Sequence, residues 1–234
     1  ISGPSMTVIH LIRHGQASWG KRDYDRLSET GRRQAVVVGE ELAERGIEAT
    51  TLISGAMRRQ RDTAALMAAA AGWGMPASED PGWNEYDHMG VLAGYKRRYR
   101  SMTVMKADLV RTGKPYAAFE AMYAQAIGAW VGGQAPGRYA EPFADFSARV
   151  DDALDRLIDS AGHDDTVVVA TSAGVIARVI TRVVDGPSAT WVRLERAITN
   201  GSLSTLRVGA RGLHLVTFNE SRHLESQPGL ATVA

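Results

Sequence analysis

The chain contains no cysteine, which excludes disulfides, thiolate metal sites and cysteine nucleophiles and leaves the compartment open. It also lacks charge of one sign. Its 27 Lys and Arg residues face 26 Asp and Glu, a formal net charge of +1, and that balance argues against a chain-wide nucleic-acid or membrane surface. There is no run of about 18 apolar residues, the length a membrane-spanning helix needs, and no early segment with the length and flanks of a signal peptide. Internal repeats and low-complexity linkers are missing too. The expectation is a soluble, cytoplasmic protein with one domain over 6–224 and a tail over 225–234. Ile1 to Ser5 reads as a cloning remnant ahead of a natural start at Met6. With 234 residues, the chain is long enough to bury a substantial core.

What the sequence does contain is an alternation of short apolar runs with helical periodicity, the pattern of an α/β sandwich with a largely parallel sheet. Residues 8–12 read as a first strand and 51–54 as a second. Residues 166–171, rich in β-branched side chains, read as a buried strand. Helices are expected from about 30 to 45, over 57–71 and over 173–184. Ser28 or Thr30 is placed to cap the first, and Gly46 to stop it. The runs 203–208 and 213–218 read as a terminal pair of strands around a glycine-containing turn. The stretch 89–146, with Lys96, Arg97, Arg98, Arg100 and several aromatics, reads as a helical insertion forming a cap rather than a separate domain. Its charges are equally consistent with a solvated helix face.

Four constellations carry chemistry. Arg13-His14-Gly15 ends the first strand, at the sheet edge where ligands bind in open α/β folds. A guanidinium there binds phosphate oxygens bidentately, and a neutral imidazole can carry a phosphoryl group covalently. Met57-Arg58-Arg59-Gln60-Arg61-Asp62-Thr63 opens a helix, whose N-terminus favours anions; Arg58 and Arg61 read as a solvated, salt-bridged helix start. Trp83-Asn84-Glu85-Tyr86-Asp87 sets a carboxyl among aromatic rings, a setting suited to a general acid. Thr171-Ser172-Ala173-Gly174 is a small-residue turn from a buried strand into a helix, offering backbone N–H groups to an anion.

In this order, the four resemble the histidine phosphatase superfamily, the phosphoglycerate mutase-like family, over nearly the whole chain from Val8 to Leu224. Arg13-His14-Gly15-Gln16 matches its signature, and 27–35 resembles the stretch that follows it. The segment 57–64 matches its second arginine motif, and Asn200-Gly201-Ser202-Leu203 its late turn. The resemblance implies a three-layer α/β sandwich with a mostly parallel central sheet flanked by helices. It implies His14 as nucleophile and Glu85 as proton donor, with Arg13, Arg59, Gln16 and Ser172 around the phosphate. No cofactor and no metal are implied, because two guanidiniums and a helix terminus supply the positioning and charge neutralisation that phosphoryl transfer needs. The partner would be a small phosphorylated substrate, and a homodimer stays open.

The sequence departs from that family at one consequential place. The resemblance implies a second histidine after the late buried strand, and Ser172 stands there. Serine offers a hydrogen bond but no positive charge. A loss comparable to that of an oxyanion-hole donor costs on the order of 10²–10³ in rate, so Ser172→His is expected to raise activity. Three readings follow: a phosphomonoesterase acting through a phosphohistidine, a mutase-type phosphotransferase, and a slow or non-catalytic phospho-ligand binder. Mutases of the family continue the first motif with Glu-Ser-x-Trp-Asn and follow the acid with Arg-His-Tyr-Gly. This chain has Gln16-Ala17-Ser18-Trp19-Gly20 and Tyr86-Asp87-His88-Met89-Gly90, which favours hydrolysis. Of the other histidines, only His88 is considered as a substitute for the second histidine; His10 is expected to alternate away from the site.

Overall fold

The computed structural model describes residues 6–18, 25–210 and 212–233. The expected remnant at 1–5, and Trp19-Gly20 of the first motif's continuation, lie outside the described residues. Among the described residues, six strands form one sheet: β1 (Thr7–Arg13), β2 (Thr51–Ser54), β3 (Ser78–Glu79), β4 (Thr166–Thr171), β5 (Leu203–Gly209) and β6 (Gly212–Glu220). Their spatial order is β3-β2-β4-β1-β5-β6. The first four in that order run parallel, whereas β5 is antiparallel to β1 and β6 to β5. Strand β4 lies at the centre of the parallel block, which explains its composition. Val167, Val168, Val169 and Ala170 are all buried, so both of its faces need apolar side chains.

Successive parallel crossovers direct the helices. From β1 the chain passes through α1 (Glu29–Glu44) to β2, then through α2 (Arg58–Ala71) to β3, stepping outward both times. Right-handed crossovers place α1 and α2 together on one face, and the return step to β4 through α6 (Phe143–Ser160) uses the other. Ser28 caps α1, its Oγ accepting from Gly31 N at 3.0 Å, and Gly46 follows the helix end at φ 65°, a left-handed conformation cheap only for glycine. α1 and α2 approach closely through Gly39, where a Cβ would come within 2.3 Å of the Met67 carbonyl oxygen. The alanines of α2 are the matching flat surface. Beneath them lies a core of Ile12, Val38, Leu42, Leu52, Met67, Trp73, Val168 and Leu203.

The chain divides into two compact units, 1–85 with 150–234, and Tyr86–Arg149. The second unit is helical, with α3 (His88–Tyr95), α4 (Met102–Arg111) and α5 (Pro115–Val131). Its interior is aromatic: Trp130 stacks on Tyr86 at 4.7 Å between ring centres and meets Phe143 edge-on at 5.1 Å. In the first unit, α7 (Ala173–Val183), α8 (Ser188–Ala197) and the short α9 (Arg222–Glu225) complete the fold. Among the described residues, no helix is long and apolar enough to cross a membrane.

His10 lies on the β1 face opposite Arg13, with Nδ1 at 3.1 Å from the Thr205 hydroxyl. Burial, followed by the charges of Arg45 and Arg207, pushes its pKa from 6.5 down to about 4, against the opposing pull of Glu220. Between those values the unfolded chain binds a proton that the native state refuses. Stability is therefore fully present above pH 6.5 and declines as the pH falls towards 4, by about 3 kcal/mol. Buried His223, also lowered, adds in the same sense. Urea unfolding at a series of pH values should show this loss, and His10→Gln should reduce it. An unchanged pH dependence in His10→Gln would assign the acid sensitivity to other groups.

Candidate active site

β1 and β4 end side by side. The register pairs Arg13 with Thr171, and His14 N donates to the Thr171 carbonyl at 2.8 Å. The two motifs that follow these strands, His14-Gly15 and Ser172-Ala173-Gly174, are thereby delivered to the same edge. On the other side of β1, the Asn200-Gly201-Ser202 turn holds the same segment. Arg13 N donates to Ser202 O at 3.1 Å and Gly201 N to Arg13 O at 3.0 Å, while Asn200 Nδ2 donates to His14 O at 3.2 Å. Gly15 is required where it stands: a Cβ there would lie 2.2 Å from the Gly31 carbonyl oxygen at the start of α1.

The buried His14 imidazole has both nitrogens engaged. Nδ1 lies 2.7 Å from Gly15 O, and Nε2 receives the Arg59 Nε–H at 3.0 Å. A guanidinium only donates, so Nε2 is the acceptor and Nδ1 carries the proton that goes to Gly15 O. His14 is therefore neutral in this arrangement, with the Nε2 lone pair directed at a cation. Arg59, buried at the N-terminus of α2, also donates from Nη1 to Asp25 at 2.7 Å. Thr63 links the two elements, accepting from Gly15 N at 3.1 Å and donating to Arg59 O at 2.7 Å. Arg13 is buried and anchored through Nη1 to the Ile198 carbonyl that follows α8. Arg58 and Arg61 pair outward with Asp62 and Glu79, as expected of a solvated helix start.

Glu85 meets the first turn of α7, where its Oε2 accepts from Gly174 N at 3.0 Å. Two bonds fix the stretch before it: Asn84 Oδ1 accepts from Ala56 N at 2.7 Å, and Trp83 O accepts from the Thr171 hydroxyl at 2.7 Å. Ser172 is fully buried, and its Oγ receives the Gln60 Nε2–H at 2.8 Å. The same amide donates to Trp83 O at 3.0 Å, and Gln60 Oε1 accepts from Met57 N. Gln60 is wedged in place, since a Cβ on Gly55 would lie 2.0 Å from its oxygen.

Of the expected residues, His14 and Arg59 touch directly, Arg13 and Ser172 stand at the ends of the neighbouring strands β1 and β4, and Glu85 is held on the first turn of α7 that follows Ser172. Gln16 is turned to α1: its side-chain oxygen accepts the Ser28 hydroxyl at 2.8 Å and its N–H goes to Gln34 Oε1 at 2.7 Å. His88 opens α3 in the second unit, its Nδ1 2.8 Å from the Tyr123 hydroxyl. Asp25 and residues 230–232 carry no signal in the sequence, and Gln60 and Thr63 stand in the arginine-rich run with no role of their own. Leu230 is buried against Val37 and Leu224, and Gln34 Nε2 donates to Leu230 O at 2.6 Å and to Thr232 Oγ1 at 2.9 Å. The Thr232 hydroxyl donates in turn to Asn200 Oδ1 at 3.1 Å. The tail thus braces both Gln16 and the turn behind His14.

Asp25 caps the start of α2 as well, accepting from Arg58 N at 2.8 Å. Its carboxylate thereby lies on the guanidinium and on a helix N-terminal N–H, two groups that suit an oxyanion. Asp25→Asn keeps an acceptor for the cap and removes the competing charge. Inorganic phosphate should then bind about fivefold more tightly, a change of the size expected for one charged contact at an exposed carboxylate. Calorimetric titration with phosphate measures this; equal or weaker binding would make Asp25 a support for Arg59 rather than a competitor.

The model of the histidine phosphatase superfamily (branch 1) matches residues 9–104 and 110–221. A 2,3-bisphosphoglycerate-dependent phosphoglycerate mutase from Corynebacterium jeikeium (strain K411) is 39% identical over 95 residues, which are 37% of this chain and 37% of that protein. Among solved structures, a mycobacterial glucosyl-3-phosphoglycerate phosphatase in complex with VO3 is similar with TM-score 0.65 at 25% identity, covering 92% of this chain and 99% of that one. A phosphoglycerate mutase from Bacillus anthracis str. Sterne is similar in fold with TM-score 0.66 at 14% identity, covering 94% and 96%.

Proposed function

Because the chain belongs to the histidine phosphatase superfamily, we propose that it hydrolyses phosphomonoesters through a phosphohistidine on His14. The observation that carries this reading is the neutral imidazole, with Nδ1–H held on Gly15 O and Nε2 turned to Arg59. An incoming phosphoryl group takes the Arg59 N–H groups onto its oxygens, which releases the Nε2 lone pair. Nε2 then forms a bond to phosphorus as the bond to the ester oxygen breaks. Arg13 and Arg59 neutralise the phosphoryl oxygens. Glu85, as the acid, gives its proton to the leaving oxygen. In the second step Glu85 removes a proton from water as the water oxygen attacks phosphorus and the bond from phosphorus to Nε2 breaks, which regenerates His14 and releases inorganic phosphate.

A phosphatase and mutases both occur among the similar proteins, and what separates the activities is where the phosphoryl group goes. Hydrolysis is favoured by Gln16-Ala17 after the first motif and Tyr86-Asp87 after the acid, in place of the residues that mutases of the family carry there. Retention of Glu85 at the α7 N-terminus weighs against a pure binding protein, which has no use for a proton donor. The test is a phosphate-ester panel with quenched-flow trapping, followed by product analysis on a phosphoglycerate pair. Expected are phosphate release, an acid-labile phosphoenzyme and no isomerised phosphoglycerate. Isomerisation without net phosphate release would make the protein a mutase, and neither turnover nor phosphoenzyme would make it a binder.

A further inference from the structure

The second unit carries a charge pattern that the reaction does not use. Between Tyr86 and Arg149 there are nine Lys and Arg residues against five Asp and Glu, so this unit is basic and the rest of the chain is net acidic. Four of these nine basic groups have a partner that explains them. Arg98 pairs with Asp108 at 2.6 Å, as Arg111 does at 3.7 Å, and Arg149 pairs with Glu141 at 2.7 Å. The Lys96 ammonium sits over the Tyr95 and Tyr99 rings at 5.8 and 5.4 Å.

Arg97, Arg100 and Arg138 differ. With Ala93, Gly94 and Gly137 they line one cavity of about 400 Å³, and among the described residues no carboxylate contributes to its lining. Gly94 explains how arginines from two separate turns of the unit come to line it. A Cβ there would lie 2.4 Å from Tyr139 Cδ1, so the missing side chain lets the Tyr139 ring seat on α3. That contact brings Arg138, in the turn Pro136–Arg138, beside the turn Arg97–Arg100. Tyr99 and Tyr139 are buried, which anchors both turns from below.

We propose that this cavity is a second anion-binding site, which takes a small molecule carrying two or more adjacent oxyanion groups. Like charges gathered on one concavity raise the local potential, and a multivalent anion is the ligand class that relieves it. Each planar guanidinium matches one oxyanion group bidentately, and the volume lies in the range of small-molecule sites. The chemistry is shared by condensed phosphates and polycarboxylates. It is independent of the reaction proposed for His14.

The experiment titrates inorganic pyrophosphate into His14→Ala protein by calorimetry, a background in which turnover is blocked while Arg13 and Arg59 remain. Two binding events are expected. Adding Arg59→Ala should remove or weaken one, and adding Arg97→Gln with Arg138→Gln should remove the other. Loss of each arginine should weaken the second event about tenfold. A parallel titration with citrate separates the sources: binding of both anions indicates a general polyanion site, and binding of pyrophosphate alone a phosphate site. As a control on folding, the side-chain N–H signals of Arg97, Arg100 and Arg138 are followed by NMR in otherwise unaltered protein, where they should shift on addition of pyrophosphate. A single event abolished by Arg59→Ala would overturn the proposal. So would a second event that survives Arg97→Gln/Arg138→Gln, or one weaker than about 1 mM.

Discussion

His14→Ala is expected to lower turnover on phosphate esters by a factor on the order of 10⁴–10⁶, to abolish the phosphoenzyme, and to leave phosphate binding measurable. The separation follows from the geometry. His14 supplies the Nε2 lone pair, whereas binding charge comes from Arg13 and Arg59, which are anchored independently. Arg13 is held by the Ile198 carbonyl and Arg59 by Asp25. Removing the imidazole leaves both guanidiniums in place and relieves Arg59 of one acceptor. Steady-state kinetics, quench trapping and phosphate calorimetry on one folded variant test the three parts together. Residual turnover within tenfold of the parent would assign the nucleophile to another group and end the phosphohistidine reading.

The second large effect concerns Ser172. A simple exchange for histidine is attractive, since it restores the charge that the family resemblance implies. The structure makes that exchange conditional. Ser172 is fully buried and its Oγ receives Gln60 Nε2, so an imidazole has to displace an amide that Gly55 and Trp83 hold in place. Ser172→His alone should therefore cost about 1–3 kcal/mol of stability through overpacking and change activity little. Combined with Gln60→Ala, which vacates the space, it should raise the rate of phosphoenzyme formation about 10²–10³-fold, the worth of an oxyanion-type donor. Thermal unfolding and single-turnover kinetics on the single and double variants make the comparison. A folded double variant no faster than the parent would mean that the Gln60–Ser172 pair has replaced the second histidine functionally.

Gln60 has the look of an ordinary helix residue. In the sequence it is one member of an arginine-rich run, and nothing in spacing says that its amide crosses to Ser172, which stands 112 positions away. Asp25 is hidden for the same reason, as its partners are the backbone of Arg58 and the side chain of Arg59. Thr232 and Leu230 look like a loose end because their partners, Gln34 and Asn200, lie far back in the chain. By contrast, the strands 51–54 and 166–171, the Ser28 cap and the Gly46 stop depend on local pattern, and each appears where that pattern puts it. The two-residue β3 and helix α8 escaped the reading: β3 is too short to show a period, and α8 has one fully buried residue, Trp191.

What the sequence determined by itself is therefore the local part: the apolar runs that become strands, the caps and stops, and the residue types that handle a phosphoryl group. Hydrophobic periodicity and turn chemistry act over a few residues and can be read there. The tertiary structure alone decided how those residues are engaged. It sets the tautomer of His14 through Arg59 and Gly15, turns Gln16 away to Ser28, and buries Ser172 under Gln60. It also draws Arg97, Arg100 and Arg138 into one cavity. Apart from the local bond of His14 to Gly15 O, these are hydrogen bonds or close approaches between separate segments of the chain. At the sheet edge the strand order and the crossovers bring such segments together, and in the second unit the close approach of Tyr139 to Gly94 does so.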